Sequence, residues 1–227
     1  MADFVLIHGT TQTPRGWDRL TEALRSRGHR AVAVDLAGSD ERSITGYAEE
    51  IRRQAPAELH APIVVAHSGT GPVLPAAAGL LGAQRQVWLA AIVPDGRRPL
   101  LQEIRSAPTE IFNPEWPGKD PTADPVLAGH FLFHDCDLET LQWALTTLRL
   151  FAPAALYADP VTLLPSIPSS YVLATQDRTL RPTWCRRAAE QRLGAEVIEI
   201  DAGHCPHVSR PSELADILDR LTVAAAG

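Results

Sequence analysis

The sequence predicts an α/β fold: a mostly parallel sheet with helices on both faces. Three observations carry that expectation. Short β-branched runs alternate with amphipathic stretches, and such alternation builds a parallel sheet covered on both sides. Several runs, Ile63 to Ala66 among them, are continuously apolar, as strands buried on both faces are. The chain has 227 residues of which 45% are hydrophobic, enough for one large core and too apolar for disorder.

The elements follow in order. Residues 3–9 (DFVLIHG) and 30–36 (RAVAVDL) read as the first two strands, bounded by glycine or polar residues. Between them Trp17, Leu20 and Leu24 fall on one helical face, and Gly28 follows as a stop. Residues 62–67 (PIVVAH) give a third strand and 86–95 (QVWLAAIVPD) a fourth. Residues 169–177 (SSYVLATQD) and 195–203 (AEVIEIDAG) give the fifth and sixth. A closing helix carries Leu214, Ile217, Leu218 and Leu221 on one face, with Pro211 suited to its first turn.

Residues 96–168 break the rhythm. They include a proline-rich tract (NPEWPGKDPTADP), offer no obvious strand, and predict one helix over 137–151. Trp116, Phe131, Phe133, Trp143 and Phe151 make the stretch too apolar to be left in water. Loops this long without a role are uncommon. The expectation is a lid inserted after the fourth strand, packed over the carboxyl edge of a core made of residues 1–95 and 169–227. Ligands of such sheets bind beyond that edge.

Composition narrows the function classes. The formal charge is −6, with both signs interspersed, so the basic stripe of a nucleic-acid binder is missing. The three cysteines, Cys136, Cys185 and Cys205, are an odd count at unrelated spacings and do not read as a disulfide framework. The opening MADFVLIHG enters a strand without the charged region of a signal peptide. No apolar run approaches the ~20 residues of a membrane span. A cytoplasmic protein is expected, with neither a nucleic-acid nor a membrane partner; a homodimer is left open.

Chemistry concentrates at IVVAHSGTGPV, from Ile63 to Val73, where small residues crowd one serine. A serine displayed on a sharp strand-to-helix turn, the nucleophile elbow, needs small neighbours because the backbone there is strained. The usual pattern is Gly-x-Ser-x-Gly. Here it is Ala66-His67-Ser68-Gly69-Thr70, with Gly71 one place late. Thr70 is a tighter fit, and Pro72 and Pro75 are expected to distort the following helix. Read alone, the segment could be a βα turn that happens to hold a serine.

Its partners decide. A serine hydroxyl is a weak nucleophile near neutral pH and needs a general base oriented by a carboxylate. With a serine elbow the chain order is serine, acid, histidine, each just past a strand end. YVLATQDRTL supplies Asp177 and VIEIDAGHCPH supplies His204. An oxyanion hole needs backbone donors aimed at the developing charge: the amide of Gly69, and that of Thr10 in IHGTTQ. His8 reads as structural, its ring bonding that loop. His207 is the rival base and Asp95 the rival acid; Asp35 reads as ordering its own turn, and His67 as packing. His204, Cys205 and His207, or His134 with Cys136, match no zinc spacing, and the cysteines read as inert small hydrophobes.

These motifs together resemble the α/β-hydrolase superfamily, and the resemblance covers essentially the whole chain, including the ending GHCPHVSRPSELADIL. Within it, FVLIHGTTQTPRGWDRL and YVLATQDRTL look like the branch of plant methyl-ester esterases and hydroxynitrile lyases. GHCPHVSRP is also similar to small receptors and signalling hydrolases of this fold. The resemblance implies an α/β-hydrolase fold and a serine hydrolase acting on a small-molecule carboxylic ester, with no cofactor and no metal. The alternatives are a thioesterase or lactonase, a non-hydrolytic lyase, or a slow ligand-binding or signalling protein with a vestigial triad. The lyases of that branch carry a threonine where this chain has Gly9 and a lysine where it has Cys205, which points to the hydrolytic side.

Overall fold

The computed structural model describes residues 1–37 and 42–223. Six parallel strands form one sheet in the order β2-β1-β3-β4-β5-β6. They are β1 (Asp3–Ile7), β2 (Arg30–Val34), β3 (Ile63–His67), β4 (Arg85–Leu89), β5 (Ser169–Ala174) and β6 (Glu196–Ile200). Every residue of β1, β3 and β4 is buried, as central strands covered on both faces must be. The edge strands β2 and β6 are mixed.

Side chains alternate across the sheet and divide the core in two. On one face Val5, Ile7, Val64, Ala66 and Trp88 pack with Tyr47 and Ile51 of α2 (Ile44–Gln54) and Leu74 and Ala77 of α3 (Leu74–Leu80). On the other, Phe4, Leu6, Val65 and Leu89 meet Leu20 and Leu24 of α1 (Asp18–Arg25) and the Leu214, Ile217, Leu218 and Leu221 face of α11 (Pro211–Val223). Each such leucine contributes roughly 2 kcal/mol by leaving water. The register Ile7↔Ala66 and Ala66↔Trp88 brings the carboxyl ends of β1, β3 and β4 together.

The sequence-based strand ends are corrected: the first, second and fifth strands stop at Ile7, Val34 and Ala174 rather than at 9, 36 and 177. The fourth strand stops at Leu89 because Ala90 turns into the left-handed region at φ 41°; residues 90–95 run as loop along the carboxyl edge. The sixth ends at Ile200 rather than at 203.

Residues 96–168 hold α4 (Leu100–Ser106), α5 (Pro108–Ile111), α6 (Pro125–Phe131), α7 (Leu138–Leu145) and α8 (Ala154–Ala158), not the one helix expected. The helix predicted over 137–151 is α7 alone. Asp137 caps it by accepting from the Thr140 amide, as N-cap aspartates do. After Leu145 the Thr146 and Thr147 hydroxyls turn back to the Trp143 and Ala144 carbonyls, and the backbone leaves to pair with the loop after β1. The amides of Thr13, Arg149 and Phe151 donate to the carbonyls of Thr147, Thr11 and Thr10 at 2.8, 3.1 and 2.8 Å. Tertiary pairing here overrides a helical sequence pattern. Phe131, Leu132 and Phe133 bury against Ala144, Cys205 and Val208, which ties this segment to the chain following β6. Two further α-helices are α9 (Pro182–Ala188), after β5, and α10 (Pro206–Ser209), after β6.

Candidate active site

Ser68 follows β3 directly and has a φ of 58°. A non-glycine residue in that region is costly and is held only where the surroundings dictate it. The chain then makes a 3-10 turn, Ser68–Val73, containing Pro72, before α3 begins with Pro75 in its first turn. The prolines therefore shape the start of the helix without kinking it. The displaced glycine also has a reason. Thr70 is buried, with its hydroxyl 2.9 Å from the carbonyls of His8 and His67, so a side chain fits there. At Gly71 a Cβ would lie 2.1 Å from the Ile92 carbonyl oxygen.

The loops after β5 and β6 bring Asp177 and His204 to this turn. His204 Nε2 lies 2.9 Å from Ser68 Oγ, and His204 Nδ1 lies 2.7 Å from Asp177 Oδ2. With Nδ1 donating to the carboxylate, Nε2 presents its lone pair to the serine hydroxyl. The other carboxylate oxygen accepts the amides of Thr179 and Leu180 at 2.7 and 3.0 Å, which fixes the acid in its orientation. Ser68, Asp177 and His204 are all buried. Thr10 stands beside Gly69, since a Cβ on Gly69 would lie 2.7 Å from Thr10 Cγ2. All five expected residues thus meet at one point of the carboxyl edge.

The rival residues point elsewhere. Asp95 accepts from the amides of Arg97 and Arg98 and from the Arg98 side chain. Asp35 accepts the Ala37 amide and pairs with Arg149. His8 Nδ1 lies 2.8 Å from the Gly9 carbonyl oxygen and Nε2 lies 3.0 Å from the Leu36 amide, so its ring is fixed in the loop. Cys136, Cys185 and Cys205 are free thiols; burial pushes all three up, Cys136 to about 12, where a thiolate does not form near neutrality. His134 donates to the Gln176 carbonyl instead of turning to Cys136.

Two histidines lie beneath His204. His67 Nε2 is 2.9 Å from the His204 carbonyl oxygen, so it carries the proton and holds the backbone of the base. His207 stacks on Trp17 at 4.3 Å and donates to Gln12 Oε1 at 2.9 Å. Burial holds both rings well below the ordinary histidine range, His207 at about 3, and neighbouring histidines add to it. They stay neutral, and the ring of His67 lies 4.9 Å from that of His204. Packing alone does not describe His67, and the supporting Gln12 gives no signal in the sequence.

A cavity of about 370 Å³ opens beside Thr10, lined by Leu101, Leu150, Phe151, Ala154 and Tyr157 and by no charged side chain. Among the described residues no helix is long and apolar enough to cross a membrane.

A serine on a strained elbow, a histidine and a buried carboxylate thus meet past successive strand ends of a parallel α/β sheet. Comparison with known proteins fixes the family: residues 4–217 match the alpha/beta hydrolase family model, and the chain belongs to that family. It is 25% identical to norfluorocurarine synthase 2 from a Strychnos species, over 96% of this chain and 94% of that one. It is 24% identical to methylesterase 8 from Arabidopsis thaliana, over 95% and 87%. The crystal structure of polyneuridine aldehyde esterase superposes with a TM-score of 0.80 at 21% identity, covering 98% of this chain and 99% of that one. The resemblance to the methyl-ester esterase branch read from the sequence is borne out by these relatives.

Proposed function

We propose that this protein is a serine esterase that cleaves a small-molecule carboxylic ester through an acyl-enzyme on Ser68. The observation that carries the reading is the unbroken relay of Ser68 Oγ, His204 and Asp177 at 2.9 and 2.7 Å, with the serine at φ 58°. Relatives named as esterases support the ester as substrate.

In this reading Ser68 Oγ attacks the ester carbonyl as His204 Nε2 takes its proton. The oxyanion is held by the amides of Thr10 and Gly69, which act in a site largely shielded from water, where such donors are worth most. His204 then gives the proton to the leaving alcohol, and Asp177 stabilises the transient imidazolium. Water enters, His204 takes its proton, and the acid is released from Ser68. Residues 96–168 cover the site as a cap, and the uncharged cavity beside Thr10 takes an apolar part of the ester. Cytoplasmic residence belongs to the same proposal and agrees with three free thiols.

Cyanohydrin cleavage is disfavoured. A Cβ at position 9 would lie 2.7 Å from His67 Nδ1, so the ring of His67 occupies the room a threonine there would need. The neutral Cys205 offers no cation for departing cyanide.

The test is hydrolysis of p-nitrophenyl acetate by the wild type and by Ser68→Ala. Turnover that vanishes in the variant supports the reading. Equal turnover by both, or none by the wild type on any of a panel of esters, thioesters and lactones, overturns it.

A further inference from the structure

Four loops carry the five site residues, and residues 96–168 hydrogen-bond to each of them at or next to a site residue. The Phe151 amide donates to the Thr10 carbonyl at 2.8 Å. The Tyr157 hydroxyl donates to the Gly69 carbonyl at 2.9 Å. His134 Nε2 donates to the carbonyl of Gln176, next to Asp177, at 2.9 Å. Asp135 Oδ2 accepts the amide of Gly203, next to His204, at 2.8 Å. The acid loop is gripped further, with the Asn113 amide on the Thr179 carbonyl and the Arg181 amide on the Ile111 carbonyl, both at 2.9 Å.

Two of these contacts fall on glycines, and the same two have no room for a side chain. A Cβ on Gly69 would lie 2.5 Å from the Tyr157 hydroxyl; one on Gly203 would lie 2.7 Å from Asp135 Oδ1 and 2.8 Å from His134 Nε2. A glycine beside a reacting group is a liability, because it is the residue freest to change φ and ψ. Here each glycine admits the side chain that removes that freedom. The grips differ in strength. A carboxylate accepting an amide is charge-assisted, and the partly buried phenol of Tyr157 is held well above its usual range by burial, so it stays a donor.

We propose that residues 96–168 are a fixed brace for the catalytic groups, with Tyr157 anchoring the carbonyl of Gly69, the residue whose N–H in the preceding peptide serves the oxyanion hole, and Asp135 setting the loop that carries His204. A segment hinged to swing clear of the site would break the bonds that align it. A substrate must then reach Ser68 with the brace in place, and all but one of the residues lining the cavity beside Thr10 belong to the brace itself. Tyr157 and Asp135 are positioning residues in this account, which rests on the reading of Ser68 as nucleophile.

The test measures kcat and KM on p-nitrophenyl acetate and inhibition by a small arylboronic acid, whose tetrahedral adduct places an oxygen in the oxyanion hole. Tyr157→Phe removes one oxygen and keeps the ring. Its kcat should fall about tenfold with KM nearly unchanged, since a misplaced donor costs less than the ~10²-fold or more of a missing one. Boronate affinity should fall by the same factor. Asp135→Ala should lower kcat similarly and displace the acid limb of its pH profile, while Asp135→Asn, which keeps an acceptor oxygen, restores both. Circular dichroism confirms folding, and the Asp135 pair decides alone should Tyr157→Phe fail to fold. Wild-type kcat and boronate affinity in Tyr157→Phe, a loss confined to KM, or an Asp135→Asn as impaired as Asp135→Ala would overturn the brace. A wild type inert toward every ester would instead refute the assignment of Ser68.

Discussion

The buried histidines make the fold sensitive to mild acid, by an amount the structure allows to be worked out. His207 is held at about 3 by burial, whereas an unfolded chain protonates histidine near 6.5. Between these values the unfolded state binds a proton that the native state refuses, so stability is complete above about pH 6.5 and falls as the pH drops below it. The slope is about 1.4 kcal/mol per pH unit for each such group. Acidification to about pH 5 therefore removes about 2 kcal/mol through His207. His67 is shifted in the same direction by its own burial and steepens the decline. That is a large share of the 5–15 kcal/mol that typically holds a domain together. Urea unfolding followed by tryptophan fluorescence measures it, comparing wild type with His207→Gln, which keeps a donor toward Gln12. The variant should be less stable near neutrality, having lost the ring stacked on Trp17. Its deficit should shrink by about 2 kcal/mol between about pH 7 and pH 5. Parallel stability curves across that range would show that His207 titrates normally in the native state and refute the reasoning.

Two further outcomes follow from the site. Asp177→Asn should leave circular dichroism unchanged yet slow ester turnover by up to ~10⁴-fold, because the amide no longer holds the tautomer that His204 needs; comparable loss in Asp95→Asn, with Asp177→Asn near normal, would move the acid to the earlier strand. Gly71→Ala should lower thermal stability by several degrees and turnover with it, since its Cβ would sit 2.1 Å from the Ile92 carbonyl oxygen, while Thr70→Ser should be milder on both counts.

Much of the fold could be read in the sequence because its strands are local signals. Continuous apolar runs marked β1, β3 and β4, and the leucines of α11 kept a strict helical face. Ser68, Asp177 and His204 were each legible as a candidate just past a strand. What escaped was non-local. The end of β4 is set by the left-handed turn at Ala90, inside a run that stays apolar to Val93. The short reach of α7 is set by residues 147–151 pairing with the loop after β1, a partner more than 130 residues away in sequence. Asp135 and Tyr157 lie in a stretch with no usable periodicity, and only the folded chain shows that each meets a glycine beside the chemistry.

The central claim, that Ser68 is the nucleophile of an esterase, is met most directly by covalent labelling. The protein is incubated with a fluorophosphonate, digested, and the adduct located by mass spectrometry, with residual hydrolysis of p-nitrophenyl acetate measured on the same sample. The expected result is one phosphonyl group on Ser68, loss of turnover in proportion to labelling, and no labelling of Ser68→Ala. An adduct on a different residue, or full turnover with Ser68 completely labelled, would contradict the claim.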